Sequence, residues 1–284
     1  MKVYSIINLL VLIITAFLFV IEYYDVESLF KDKNLWHILL IIVIAFLVHI
    51  IKASRLYLIL YEYNIDICAY TKIYCKVTPV SLVFPFKIGE FFRMYCYGTE
   101  LESMVKGIVI IIFDRFMDTL ALVTILLLVI MFNGGHISLF TYLLFLFLIS
   151  ILIIYLAYPG IYKFWKKYTL KSIATEKNLS ILKILDIFNN IYLQITNISK
   201  GRGMILYCMS IIAWLCEIVG LVLLCGTTEN ICLNENIINY LSSAMRKGSS
   251  IELQQFIFVS IILMSLVYLM IKFYELLIGK KGIQ

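Results

Sequence analysis

Charge is scarce in this chain. Charged residues occupy 15% of its 284 positions and hydrophobic residues 63%, whereas soluble domains average about 25% charged and about 45–50% apolar residues. A soluble fold of this length has too little interior to bury that excess of apolar side chains. The composition therefore excludes a soluble domain and indicates a protein whose apolar surface faces lipid.

Motifs for metal binding and disulfide formation are missing as well. The three histidines are scattered, and the seven cysteines contain no C-x-x-C pair and lie mostly in or beside apolar runs. A free cysteine in such surroundings behaves as a small hydrophobe, so we interpret the cysteines as reduced packing residues and expect no metal and no cofactor. Nothing in the sequence forms a nucleophile–base arrangement, which argues against catalysis by this chain.

Six apolar runs are long enough, or nearly so, to cross a bilayer as helices. They are Val3–Ile21, Leu35–Ile51, Gly107–Phe132, Leu139–Tyr158, Met204–Gly226 and Leu253–Ile278. No small-x-small cleavage site follows the first run, so we expect a retained first helix rather than a removed signal peptide. The predicted fold class is an all-α integral membrane protein with six full transmembrane helices in one polytopic domain, residues 1–284, whose halves (1–158 and 204–284) are joined by a cytoplasmic basic linker at 159–203.

The basic residues between these runs predict the orientation. Of 24 Lys and Arg residues, 19 fall in segments that would lie on one side of the membrane, 4 on the other side, and Arg115 lies within a run. Short loops rich in Lys and Arg stay in the cytoplasm, and all six runs fit the alternation. Both termini of this multi-pass protein are therefore predicted to be cytoplasmic.

The segment between Lys52 and Lys106 departs from the regular pattern. By the charge count it begins and ends in the cytoplasm, yet its apolar stretches are interrupted. The interrupting residues are Glu62, Asn64, Asp66, Pro79, Pro85, Lys87, Gly89 and Glu90. Unpaired backbone in lipid costs several kcal/mol per group, so such a segment must be shielded by protein or line a wet cavity. We predict a broken, re-entrant helical hairpin at about 56–104, of the kind that forms substrate sites in transporters. Two ordinary tilted spans that kink at proline are the alternative, so the chain has six to eight spans.

Ionisable residues also lie inside the following span. Asp114 and Asp118 share a helix face, and Arg115 lies within ion-pair reach of Asp118. Each charge near the bilayer centre costs about 2.5–3.5 kcal/mol on insertion scales, so these three side chains must point inward and find partners. The obvious partners stand at three-residue spacing in the hairpin: Lys87, Glu90 and Arg93.

Two interpretations of this cluster are open. In the first, the residues line a polar cavity in which Lys87 and Arg93 attract the phosphate of a lipid headgroup. In the second, they form an internal ion-pair network that only fixes the hairpin against the bundle. Glu217, within the fifth apolar run, either faces the same cavity or is a packed, protonated residue.

The basic linker has an amphipathic pattern. Apolar residues recur at helical spacing over Leu179–Ile198. One interpretation is a helix in the membrane surface, next to a basic surface at Lys163–Lys183 that anionic lipids would attract. The other is a cytoplasmic helix packed on the bundle.

The hairpin carries a recognisable sequence element. Residues 85–93, PFKIGEFFR, resemble the P-x-[RK]-x-G-E-x-x-R element of the flippase-like transmembrane domain of bacterial lysylphosphatidylglycerol synthases (multiple peptide resistance factor), a domain that also occurs in stand-alone membrane proteins. The family's R-x-x-D on the next long helix matches Arg115-Phe116-Met117-Asp118, and its basic residue after the second span matches Arg55. The resemblance covers about Leu35–Leu128 well and the rest of the chain by span count.

The resemblance implies a role in lipid handling. It implies a protein of the bacterial plasma membrane that binds or translocates a phospholipid or lipid-linked headgroup through a polar intramembrane cavity, with no nucleic-acid partner. Together with the charges inside the spans, it gives these candidate cavity residues: Arg55, Pro85, Lys87, Gly89, Glu90, Arg93, Asp114, Arg115, Asp118 and Glu217.

Two features of the family are missing. The family usually carries a P-x-x-G-G-x-G-x-x-E element before its last spans, whereas Thr227–Glu252 holds a single glycine and no proline. The soluble aminoacyl-transfer domain is also absent, so the phosphatidylglycerol lysyltransferase activity in the family name is not expected here. The alternatives are a membrane enzyme of aminoacyl-lipid or lipid-linked sugar synthesis, and a partner that anchors a separate synthase or glycosyltransferase.

Overall fold

A computed structural model shows a helical bundle. It describes residues 2–25, 30, 34–84, 88–133, 139–171, 176–225, 237, 240–241 and 251–281. These residues contain no strand and form nine α-helices. The helices are α1 (Lys2–Glu22), α2 (Leu35–Leu60), α3 (Ile67–Val83), α4 (Gly89–Glu100), α5 (Met104–Asn133), α6 (Leu139–Lys171), α7 (Glu176–Ser199), α8 (Gly203–Cys225) and α9 (Ile251–Lys281).

Six of the described helices are long and apolar enough to cross a bilayer, namely α1, α2, α5, α6, α8 and α9. They coincide with the six apolar runs, which confirms that prediction. Many of their large apolar side chains are exposed on the outside of the isolated bundle, including Phe17, Met131 and Leu156. Because such surfaces are unfavourable in water, the chain is a multi-pass membrane protein.

The second helix is longer than its apolar run. The run ends at Ile51, whereas α2 continues to Leu60 and is followed by one 3₁₀ turn, which ends at Asn64 in a left-handed conformation with φ 51°. Lys52 and Arg55, which follow the apolar run, thus lie within α2. Both side chains turn towards carboxylates inside the bundle, so their charges do not end the helix.

The interrupted segment forms two short helices. Asp66 starts α3 by accepting hydrogen bonds from the backbone N–H groups of Cys68 and Ala69 at 3.1 and 3.2 Å. The break expected at Pro79 is absent, because α3 continues through this residue to Val83. With 17 and 12 residues, α3 and α4 span about 26 and about 18 Å, less than the hydrocarbon core of about 30 Å.

The hairpin begins and finishes at the same end of the bundle. Lys106, at the start of α5, lies 5.4 Å from the ring centre of Tyr63, at the end of α2. The intervening α4 ends in a Schellman motif, with Glu102 at φ 52° and the N–H of Ser103 bonded to the carbonyl of Gly98 at 2.9 Å. This return and the shortness of α4 favour a re-entrant hairpin.

Glycines allow the hairpin helices to approach each other and α5 closely. A Cβ on Gly89 would lie 2.6 Å from the carbonyl oxygen of Val80, and a Cβ on Gly107 would lie 2.5 Å from the backbone nitrogen of Gly98. Neither position accepts a side chain without backbone movement. Gly89, a candidate site residue, thus holds α4 against α3.

The linker helix α7 packs on the bundle. Ile198 is fully buried in the main core, Ile195 packs against that core, and Tyr192 stacks on Tyr158 of α6 at 4.9 Å between ring centres. Of the two interpretations of this amphipathic segment, the geometry matches the packed helix. The basic surface at Lys163–Lys183 lies partly outside the described residues and stays a prediction.

Candidate functional site

Four helices meet around a buried cluster of charged side chains. α5 packs between α4 and α8, and α2 packs along α8. We call the cluster the ion network. Its members are Arg55, Glu90, Arg93, Asp114, Arg115 and Asp118. Three guanidinium groups face three carboxylates, so the formal charges cancel.

One half of the ion network is tightly bonded around Arg55. The Nε and Nη2 atoms of Arg55 lie 2.9 and 2.8 Å from Oδ1 of Asp114, and its Nη1 donates to Asp118 Oδ1 and to Ser210 Oγ, each at 2.7 Å. The Arg55 side chain is 1% exposed. Trp214 supports this half by donating from Nε1 to the backbone carbonyl of Asp118 at 3.3 Å. The tight half therefore joins α2, α5 and α8.

The other half, which reaches the hairpin, is loose. Arg93 lies 3.7 Å from both its carboxylate partners, Glu90 and Asp114. Arg115 donates to Asp114 Oδ2 at 2.9 Å but lies 3.8 Å from Glu90 and 3.9 Å from Asp118. The hairpin helix α4 is thus held to the network only by contacts beyond ordinary hydrogen-bond length.

Polar atoms in the loose half lack hydrogen-bond partners. Within the described part of the chain, no partner exists for Nε of Arg93, Oε2 of Glu90, Nε of Arg115 or the hydroxyl of Tyr97, one helical turn after Arg93. Arg93 and Tyr97 are almost fully buried, whereas a third of the Arg115 side chain is accessible. In the tight half, Nη2 of Arg55 also lacks a well-aligned hydrogen bond, although it lies 2.8 Å from Asp114. Because buried polar groups are rarely left without partners, the unpartnered atoms where α4 meets α5 provide unused hydrogen-bonding capacity.

A second ion pair lies beside the network. Lys52, one turn before Arg55 on α2, donates to Glu217 of α8 at 2.6 Å, and Tyr240 donates to the same carboxylate at 3.2 Å. The Lys52 ammonium also lies 5.0 Å from the ring centre of Trp214. Glu217 is therefore an ion-paired residue next to the network rather than an isolated acid.

The structure brings together six of the ten candidate residues in the ion network and places two more beside it, Gly89 and Glu217. The remaining two, Pro85 and Lys87, lie outside the described residues. Sequence reasoning missed Ser210 and Lys52 as partners. Helical spacing could have indicated both, because Ser210 and Glu217 are seven residues apart on α8, and Lys52 and Arg55 are three apart on α2.

The loose half carries groups suited to binding an anion. No group of three or more His, Cys, Asp or Glu side chains able to hold a metal ion occurs within the described residues. Arg93 and Arg115 offer unused N–H donors in a buried setting, where charge-assisted hydrogen bonds to phosphate or carboxylate are strong. Glu90 and Asp118 sit close enough to balance or to accept a cationic group.

These features define a multi-pass helical membrane protein with an intramembrane ion network at a broken hairpin. The chain belongs to the family described as the lysylphosphatidylglycerol synthase TM region, whose sequence model matches residues 5–229. That match confirms the suspected family and supports a lipid-related role in the membrane. Comparisons with curated proteins and with solved structures found no significant match.

Proposed function

We propose that this protein binds a phospholipid or lipid-linked headgroup at the loose half of the ion network and moves it across the membrane, in the manner of a flippase. We further propose that it acts in the bacterial plasma membrane with both termini in the cytoplasm. The observation that carries the proposal is Arg93, whose buried guanidinium has one nitrogen without a partner and two others 3.7 Å from carboxylates.

A phosphate group would satisfy what this site lacks. Arginine presents N–H donors in a planar fork that matches phosphate oxygens. An anion between Arg93 and Arg115 would replace their long contacts to Glu90 with short, charge-assisted hydrogen bonds. Glu90 would then be released to accept a cationic headgroup substituent.

The contrast between the two halves suggests how a headgroup could enter. The tight half fixes α2, α5 and α8 to one another through contacts of 2.7–2.9 Å. The contacts of α4 to the network are long, so they cost less to break. We propose that α4 shifts against this fixed frame to admit the headgroup, while Arg55 remains paired.

A non-transporting role is the second candidate. The ion network is electrically balanced, as an internal brace for the hairpin would be. The family's glycine-rich element is also missing from residues 227–252. In this case the protein would anchor a separate synthase or glycosyltransferase in the membrane.

Lipid translocation in proteoliposomes tests the proposal. The rate at which a fluorescent phospholipid reaches the opposite leaflet would be measured for the wild type, Arg93→Gln and Glu90→Gln. Arg202→Gln is the matched control, because Arg202 lies outside the network, where it pairs with Glu62 at 3.4 Å and lies 5.6 Å from the ring centre of Tyr61. We expect Arg93→Gln to lower the rate by about tenfold or more, since a charge-assisted hydrogen bond contributes about 1.5–3 kcal/mol, and the control to match the wild type.

Two results would contradict this function. The first is that the wild type translocates lipid and the network variants translocate it at the same rate. The second is a correctly folded wild type that moves no lipid of any headgroup class but co-purifies with a synthase or glycosyltransferase. The second result would establish the anchoring role instead.

A further inference from the structure

A polar cavity of about 600 Å³ lies away from the ion network, between α1, α3 and α9. It is lined by the first part of α1, the first part of α3 and the later part of α9. Its lining includes Asn8 from α1, Lys72 and Lys76 from α3, and Tyr268 and Lys272 from α9. This volume is within the range of small-molecule sites.

The cavity lies between α1 and α9, which contact each other near their other ends. Phe19, near the end of α1, stacks on Phe258, near the start of α9, with 5.6 Å between ring centres. Tyr23 lies 5.1 Å from the same ring. Nearer the start of α1, Tyr4 and Asn8 line the cavity together with residues of α3 and α9. A lipid could enter sideways through this gap, with its acyl chains remaining in the bilayer.

Lys76 projects into this cavity as a buried cation without a countercharge. It is 9% exposed, and no carboxylate of the described residues lies within ion-pair distance of its ammonium group. Its hydrogen-bond partners carry no formal charge: they are the Tyr4 hydroxyl at 3.3 Å and Asn8 Oδ1 at 3.2 Å, with the Cys96 thiol nearby. A buried charge is costly unless it is paired, so this ammonium group is suited to an anionic ligand.

The other charged residues of the cavity are already engaged or lie at its rim. Lys72 is paired with both carboxylate oxygens of Glu275, at 2.7 and 2.8 Å. Asp66 accepts the two hydrogen bonds that cap α3. Glu100 also lines the cavity and is exposed. Lys272 is exposed at the rim, where it can meet the outer side of an anion that Lys76 holds from within.

We propose that this cavity is a binding site for a phosphate group, centred on Lys76 and closed at the rim by Lys272. The same chemistry fits the phosphodiester of a phospholipid and a free phosphate ion. Tyr4, Asn8 and Tyr268 supply further polar contacts around the anion. The site does not depend on the proposed translocation function, because it shares no residue with the ion network.

Direct binding to the purified protein in neutral detergent tests the site. The probes are short-chain phosphatidylglycerol, inorganic phosphate and an uncharged short-chain diacylglycerol. We expect Lys76→Gln to weaken the binding of the phosphate-bearing probe by about tenfold or more. Lys106→Gln, which removes a lysine outside the cavity, is the matched control and should bind like the wild type. Tight binding of phosphatidylglycerol with weak binding of inorganic phosphate indicates a lipid site, and equal binding of the two indicates a free-anion site.

The proposal would be overturned if the wild type and Lys76→Gln bound phosphatidylglycerol equally well. It would also be overturned if the wild type bound the uncharged diacylglycerol as tightly as phosphatidylglycerol. A second measurement needs no variant. Cys68 is an exposed free thiol that lines the cavity, so phosphatidylglycerol should slow its alkylation in the wild type, whereas diacylglycerol should not. Unchanged alkylation at saturating phosphatidylglycerol would also refute the site.

Discussion

Arg55 should be the residue on which the stability of the bundle depends most strongly. Replacing it with methionine keeps an unbranched side chain of similar length but removes the hydrogen bonds to Asp114, Asp118 and Ser210. The ion network then carries one uncompensated negative charge, centred on Asp114, which is fully buried. Breaking a buried ion pair on one side costs about 3–5 kcal/mol, so we expect Arg55→Met to lower the free energy of unfolding by about that amount.

A double-mutant cycle separates this electrostatic cost from lost packing. Asp114→Asn alone leaves one excess positive charge, whereas Arg55→Met combined with Asp114→Asn restores a balanced network of Glu90, Arg93, Arg115 and Asp118. We therefore expect the double variant to be more stable than the sum of the single effects predicts, by about 2–3 kcal/mol. Unfolding in mixed micelles with increasing dodecyl sulfate, followed by circular dichroism, gives the required free energies.

The control for this cycle is Arg202→Met, which removes an arginine from an exposed pair with Glu62. Exposed pairs contribute about 0–1 kcal/mol, so this variant should unfold like the wild type. The reasoning fails if Arg55→Met costs less than about 1 kcal/mol, or if the effects of Arg55→Met and Asp114→Asn simply add. Either result would mean that the tight half does not carry the energy that its short contacts indicate.

Two further predictions concern helix packing and orientation. Gly107→Ala places a Cβ 2.5 Å from the backbone of Gly98 and should destabilise the protein by about 1–3 kcal/mol in the same micelle titration. Gly160→Ala is its control: no heavy atom lies within 4 Å of the new Cβ, so this variant should be neutral or slightly stabilising. A cysteine at the exposed position Lys200 should react with a membrane-impermeant maleimide only after cells are opened, since this turn is predicted to be cytoplasmic; labelling of intact cells would reverse the predicted orientation.

The sequence predicted the membrane-spanning helices well, because each is an apolar run of sufficient length, and it located the hairpin by the residues that interrupt the pattern. It ended the second span too early, since the apolar run was taken to end at its first charge, Lys52, whereas α2 continues to Leu60. A charge that finds a buried partner does not end a helix, and the partners of Arg55 lie 59 and 63 residues away in the sequence. Pro79 was expected to interrupt the hairpin, but it is buried inside α3, which continues through it.

The family motif indicated which residues matter but not how they divide between support and binding. Arg55 and Arg93 both face Asp114, and the family motif does not show which of them supports the fold and which binds a ligand. In the structure Arg55 is held by contacts of 2.7–2.9 Å, whereas Arg93 has only contacts of 3.7 Å. The tight contacts form where α2 and α5 both pack on α8, whose Ser210 also accepts a hydrogen bond from Arg55, whereas α4 reaches the network from the hairpin.

Arg55 and Lys76 are two buried cations that meet the cost of burial in opposite ways. Arg55 is surrounded by carboxylates, so its charge is an internal component of the fold and its removal exposes an unpaired anion. Lys76 has neutral oxygens, the Cys96 thiol and aromatic rings around it, so its removal leaves no opposite charge uncompensated. Lys76→Gln should therefore fold at least as well as the wild type, and a loss of phosphate binding in that variant can be attributed to the site itself. Lys76 has no carboxylate partner among the described residues, so it is available to an anionic ligand, whereas Arg55 is committed to the structure by its ion pairs.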